Sequence, residues 1–191
     1  MPRLFSAFEV PPDIAARLAF FRGGLFGAKW VEPPDYHITL RFFGDIDPRT
    51  AQAIDEDLLA TEGFFRGGAL RLGLDEIAVF GGREPRALIA RVKADANLSR
   101  LQAAHEAIAR RNGLAPETRK FTPHVTLARL RGVEAQAVGA WLSQRAYPLA
   151  LSFEADRFAL FSSRDSVGGG PYRVEAVYPI LGSGFTPRSR A

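Results

Sequence analysis

The chain has no cysteine, one methionine, three histidines and only three lysines among its 191 residues. Without cysteine there is no disulfide, no thiolate metal site and no thiol redox chemistry. No apolar run approaches the roughly 20 residues that a membrane span needs. Residues 1–5 do not open an apolar segment ending in a small-residue cleavage site. A cytoplasmic protein with no membrane association is therefore expected.

Two of the three histidines belong to one repeated pattern. Tyr36-His37-Ile38-Thr39-Leu40 returns 87 residues later as Pro123-His124-Val125-Thr126-Leu127, and each copy reads His, apolar, Thr, Leu. Side chains alternate along a strand, so His37 and Thr39 project from one face about 7 Å apart while Ile38 and Leu40 point to the other. The apolar pair anchors and the polar pair is displayed. A single His-x-Thr is usually incidental, but two copies with matching flanks point to function. The third histidine, His105, lies on the apolar stripe of a helix and is assigned to packing at the edge of the core.

At this length the chain can bury roughly 70% of its unfolded surface as one domain or two fused lobes, without a disulfide or metal staple. The net charge is +4, and nearly all the cations are arginine. Arginine suits bidentate phosphate recognition. Base composition or a hot habitat also favours arginine over lysine, so the charge only permits an anionic partner.

Apolar periodicity gives a strand over 3–10 and a helix opened by Pro11-Pro12-Asp13 carrying Ile14, Leu18, Phe21 and Leu25. A short extended piece at Trp30-Val31 precedes the first His-x-Thr strand, 37–43. A second helix carries Ala51, Ile54, Leu58 and Leu59. Strands follow at 70–74 and 88–92, with an apolar run over 77–80 between them, then a helix over 96–111 with Leu98, Leu101, His105 and Ile108 on one face. The second His-x-Thr strand, 121–128, a helix near 133–145 and strands near 149–153, 157–162 and 172–180 complete the order. Gly168-Gly169-Gly170 lacks a phosphate-loop ending and reads as a hairpin loop. The layout suggests an internal duplication of an α+β half, each half donating one His-x-Thr strand. The expected unit is a single domain over 1–182 with two pseudo-symmetric lobes, followed by a flexible basic tail over 183–191.

Two imidazoles near pKa 6.5 can divide labour at neutral pH, one as general base and one as general acid, each role contributing about 10²–10⁴-fold. In-line displacement at phosphorus needs both, because the nucleophile loses a proton while the leaving oxygen gains one. Thr39 and Thr126 hydroxyls, one strand step away, suit hydrogen bonds to the non-bridging oxygens. Metal is unnecessary in this scheme, and two histidines without a nearby acidic cluster make a poor zinc site. Arginine should assist. Strict alternation aims Arg41 into the cleft with His37 and Thr39, although a solvated strand-end arginine explains it equally well. The same alternation turns Arg129 away unless the strand ends or bulges.

The stretches His37-Ile38-Thr39-Leu40-Arg41-Phe42-Phe43-Gly44 and Arg119-Lys120-Phe121-Thr122-Pro123-His124-Val125-Thr126-Leu127-Ala128-Arg129 resemble the two signatures of the two-histidine phosphoesterases. Within that superfamily they are most similar to the RNA 2′,3′-cyclic phosphodiesterases, also called 2′-5′ RNA ligases. The resemblance covers almost the whole chain. It implies an α+β, bilobed, pseudo-duplicated fold, with two antiparallel sheets lining a central cleft and helices packed outside. It implies hydrolysis of 2′,3′-cyclic phosphate ends of RNA or small nucleotides to 2′-phosphomonoesters. No cofactor and no metal are expected; a monomer is expected, with oligomeric state open on sequence alone. The resemblance implies His37 as proton donor to the departing 3′ oxygen and His124 as proton acceptor from water. It also places Arg129 at the phosphate, against strict alternation, with Arg41 the weaker candidate. His105 departs from the family pattern, in which an aliphatic residue is usual.

Two other readings stay open on sequence alone. ATP-independent 2′-5′ ligation uses the same residues with a 5′-hydroxyl in place of water. A nucleotide- or RNA-binding module would use the cleft without turnover, although a pure binder needs no acid–base pair.

Overall fold

In the computed structural model, which describes residues 3–61, 69–93, 95–145, 148–163 and 171–180, both His-x-Thr stretches open strands. The strands are β1 (Arg3–Glu9), β2 (Ala28–Trp30), β3 (His37–Asp45), β4 (Leu70–Phe80), β5 (Ala87–Val92), β6 (His124–Leu130), β7 (Leu151–Ala155), β8 (Arg157–Ser163) and β9 (Tyr172–Pro179). The helices are α1 (Pro12–Ala19), α2 (Pro48–Leu59), α3 (Ala96–Arg111) and α4 (Ala135–Ser143). The glycine run 168–170 and the tail lie outside the described residues.

Antiparallel pairing sets the order β7-β4-β5-β6-β3-β1-β8-β9, with β2 paired to β6. The centre is β6 beside β3, joined by the single bridge Ile38↔Val125. The two expected antiparallel sheets lie either side of this bridge, which makes them one continuous sheet. Beyond it β6 takes a different neighbour, for Val31 N–H bonds the Leu127 carbonyl at 2.9 Å and β2 pairs with Ala128 to Leu130.

The halves are not simple sequential halves. Strand β4, which follows α2, pairs into the β6 half, and β8, which follows α4, pairs into the β3 half beside β1. Each half therefore completes its sheet with a strand from the other part of the chain. Side chains of all four helices, including Leu18, Ile54, Leu101 and Trp141, join Ile38, Leu40, Val125 and Leu127 in one core. Ile38 and Val125 are fully buried, each contributing about 1.5–3 kcal/mol by leaving water.

Local chemistry accounts for the element ends. Asp47 caps α2 through Oδ1, which accepts from Arg49 and Thr50 N–H at 3.0 and 3.1 Å, and Pro48 fits the first turn. Asp95 caps α3 by accepting from Leu98 N–H at 2.8 Å, and Gly113 follows its end with φ +81°. Helix α1 stops at Ala19, short of Phe21 and Leu25, because the chain reverses through Gly23 and Gly24, both at positive φ. The alternating stretch 70–74 and the apolar run 77–80 form one strand, β4. Its register with β5 shifts between Leu74 and Glu76, so a bulge separates the two patterns.

His105 is completely buried on α3 rather than at the core edge. Its Nδ1 and the Ser6 hydroxyl share a 2.8 Å hydrogen bond, its ring meets Phe158 edge-on, and Nε2 has no partner among the described residues.

Candidate active site

Extending the register of the Ile38↔Val125 bridge sets His37 opposite Thr126 and Thr39 opposite His124. The four polar side chains thus surround the bridge on the face away from the core, each half-buried. Both imidazoles are held in the same way. His37 Nδ1–H donates to the Asp35 carbonyl at 2.7 Å, and His124 Nδ1–H donates to the Thr122 carbonyl at 2.7 Å. A carbonyl can only accept, so each neutral ring keeps its proton on Nδ1 and leaves Nε2 unprotonated. Neither Thr39 nor Thr126 hydroxyl has a protein partner among the described residues.

The partners two residues upstream come from different local structure. Asp35 ends a 3-10 turn, Pro33–Asp35, and its Oδ1 also accepts from Tyr172 N–H at 3.1 Å. Thr122 precedes Pro123, which has no N–H to donate, although its carbonyl still accepts from Val92 N–H of β5 at 3.0 Å. The i−2 carbonyls carry no sequence signal of their own, although Pro33-Pro34-Asp35 marks the turn before His37.

Both motifs bulge at the same step. In β3, Thr39 pairs with Ala7 and Arg41 with Ser6, leaving Leu40 as the extra residue. In β6, Thr126 pairs with Ile89 and Ala128 with Leu88, leaving Leu127 extra. A bulge inverts the alternation beyond it. Arg41 therefore turns to the helix side, where it is 8% exposed. Its Nε donates to Glu106 Oε2 at 2.6 Å, Nη2 to the Ala115 carbonyl at 2.7 Å, and Nη1 to the Phe42 carbonyl. Simple alternation thus ends at Leu40, and the Arg41 guanidinium is taken up by the protein.

By the same inversion Arg129 emerges on the side of the histidines. It is exposed and has no carboxylate partner among the described residues. Its charge reaches His37, as does that of His124, so the three groups share one electrostatic neighbourhood. The position equivalent to Arg129 in β3 is Phe42.

The surroundings of the two rings differ. His37 lies against Phe5 at 4.9 Å and Tyr172 at 5.0 Å, with Phe161 at 6.1 Å. These belong to a small apolar cluster on the outer face of β1 and β8. His124 meets Phe80 edge-on at 4.8 Å. Burial pushes His37 down to about 4, opposed by the Asp35 carbonyl and reinforced by the positive charge of His124. Burial also lowers His124, with the Thr122 carbonyl opposing. Among the described residues no group of three His, Asp or Glu side chains converges to hold a metal ion, and no helix is long and apolar enough to cross a membrane.

Two strands, each displaying a backbone-tethered histidine and a threonine around one bridge, match the layout expected of a two-histidine phosphoesterase. Comparison with known proteins agrees. The family model described as LigT like Phosphoesterase matches residues 8–90 and again 91–172, one match per motif, and the chain belongs to this family. The Bacillus subtilis (strain 168) protein named RNA 2′,3′-cyclic phosphodiesterase is 30% identical over 140 residues, 73% of this chain and 70% of that protein. The Aquifex aeolicus protein of the same name is 31% identical over 157 residues, 81% of this chain and 82% of the relative. Among solved structures, a Thermus thermophilus protein superposes with TM-score 0.77 at 24% identity, covering 95% of this chain and 99% of that one. Escherichia coli LigT complexed with 3′-AMP superposes with TM-score 0.72 at 21% identity, covering 94% and 99%.

Proposed function

We propose that this phosphoesterase hydrolyses 2′,3′-cyclic phosphate ends of RNA, or of small nucleotides, to 2′-phosphomonoesters without a cofactor. The observation that carries the reading is the matched tether of His37 and His124, which places the proton on Nδ1 of each neutral ring and leaves both Nε2 atoms available for proton transfer. The relatives' shared name supports the same substrate class.

In this scheme water attacks phosphorus as the bond to the 3′ oxygen breaks. His124 Nε2 takes the water proton and His37 Nε2–H protonates the departing oxygen. Thr39, Thr126 and Arg129 stabilise the non-bridging oxygens, where negative charge concentrates. Arg41 braces β3 against α3 rather than touching phosphate. His37 at about 4 is neutral in the free enzyme at pH 7. The incoming phosphate anion offsets the cost of charging the buried ring, so the acid forms when substrate arrives. That both histidines come from one chain supports a monomer over residues 1–182 as the working unit, acting on RNA ends in the cytoplasm.

The test is product analysis with an oligonucleotide ending in a 2′,3′-cyclic phosphate, in the presence of a chelator. The 2′-phosphate alone is expected. A 3′-phosphate, or activity lost on chelation, would overturn the proposal.

A further inference from the structure

A groove of about 420 Å³ opens beside His124, bounded by Thr39 and Phe42 of β3, Phe80 and Arg86 flanking the β4–β5 turn, and Lys120. Its volume lies within the range of small-ligand sites. Four cations line it, Arg41, Arg86, Arg119 and Lys120, against one carboxylate, Glu117. Arg41 is committed to Glu106, and Glu117 holds Arg119 through bonds of 3.0 and 2.8 Å. That leaves Arg86 and Lys120, both exposed and without a carboxylate partner among the described residues.

Arg86 is firmly placed. Its N–H bonds the Phe80 carbonyl at 2.7 Å and its carbonyl accepts from Leu130 N–H at 2.8 Å. The turn before it is tight, since a Cβ on Gly81 would come within 2.0 Å of the Glu84 carbonyl oxygen. Phe42, 44% exposed and resting on Phe5 at 5.3 Å, offers an aromatic face at the groove wall. Unpaired cations beside an exposed aromatic ring suit a nucleotide, whose phosphate takes the charge and whose base stacks. A larger groove of about 750 Å³ elsewhere has the opposite character, with Glu9, Glu154 and Asp156 against Arg157, and disfavours a polyanion.

We infer that the groove beside His124 is a subsite for the nucleotide preceding the cyclic end on the same RNA strand. Arg86 and Lys120 hold its phosphodiester and Phe42 meets its base, so RNA ends are preferred over cyclic mononucleotides. This deepens the cyclic phosphodiesterase reading and rests on it.

The experiment compares a cyclic mononucleotide with a dinucleotide carrying the same cyclic end, using the wild type, Arg86→Gln, Lys120→Gln and the double variant. Wild-type KM is expected to be lower for the dinucleotide. The double variant should raise that KM about tenfold and flatten its salt dependence, leaving kcat and the mononucleotide KM within about twofold. Calorimetry with the mono- and dinucleotide 2′-phosphates reads the same preference without turnover. Absence of hydrolysis of either substrate would therefore sink the functional reading while the subsite is still judged by binding. Equal loss on both lengths, or no wild-type length preference, overturns the subsite. So does equal KM for the two lengths with capture of a separate dinucleotide that lacks the cyclic end, which would assign the groove to a second strand.

Discussion

Leu40 and Leu127 occupy the same bulged position in their strands, three residues after His37 and His124 respectively. That shared irregularity sends Arg41 and Arg129 to opposite faces of the sheet, and it separates their expected roles. Arg129→Ala should lower kcat/KM on a cyclic phosphate end about 10²-fold, the usual cost of losing one transition-state donor, with unchanged thermal stability. Arg41→Ala breaks a largely buried ion pair, whose side chains are 9% and 20% exposed, and should cost about 3 kcal/mol of stability. Urea unfolding beside steady-state kinetics distinguishes the two. The reverse pattern would contradict the inversion at Leu40.

The threonines should act in the transition state. Thr39→Val and Thr126→Val keep shape and remove a hydroxyl that has no partner among the described residues to leave unpaired. Each should lower kcat about tenfold or more with little change in KM, as expected for a donor used mainly when charge develops. A pure KM effect would reassign them to ground-state binding.

Much of this centre was legible because the polar pair and the apolar pair of each motif follow simple two-residue alternation, and Ile38 and Val125 are buried as that pattern requires. Helix α3 spans 96–111 as its apolar periodicity predicts, because Leu98, Leu101, His105 and Ile108 all turn into the core. What alternation could not reveal was the bulge, which depends on pairing with β1 and β5, strands distant in sequence from Arg41 and Arg129. The crossing of β4 and β8 between halves was hidden for the same reason. The aromatic bed of His37 was hidden too, because Phe5, Phe161 and Tyr172 lie on three separate strands.

The difference in bedding has a pH consequence. With His37 lowered to about 4 and His124 also below its ordinary value, both limbs of the kcat/KM profile belong to groups titrating below 6.5 in the free enzyme. The bell should therefore peak on the acid side of neutrality, and its two limbs belong to the pair jointly. The kcat profile should lie at higher pH, because bound phosphate favours the charged imidazole. An optimum for kcat/KM above pH 7.5 would contradict this arrangement.

Stability should also fall in acid. His105 is held neutral down to about 3 by burial, against an unfolded value near 6.5, so the unfolded chain binds the extra proton between those limits. Its contribution is fully present above pH 6.5 and is lost progressively toward pH 3, on the order of 4 kcal/mol. The double variant Ser6→Ala/His105→Leu removes both partners of the buried hydrogen bond. It should be nearly neutral in stability at pH 7 and more stable than the wild type at pH 5. Urea midpoints at the two pH values measure this, and an equal change at both would exclude His105 as the source.

The most direct test of the paired histidines is the single-turnover rate on an oligonucleotide with a 2′,3′-cyclic phosphate end, measured for His37→Asn, His124→Asn and the double variant. Each single change is expected to lower the rate by about 10²–10⁴-fold. The double variant should lose far less than the product of the two, because both protons move in one displacement. A single variant retaining a rate within tenfold of the wild type would contradict the shared acid–base centre.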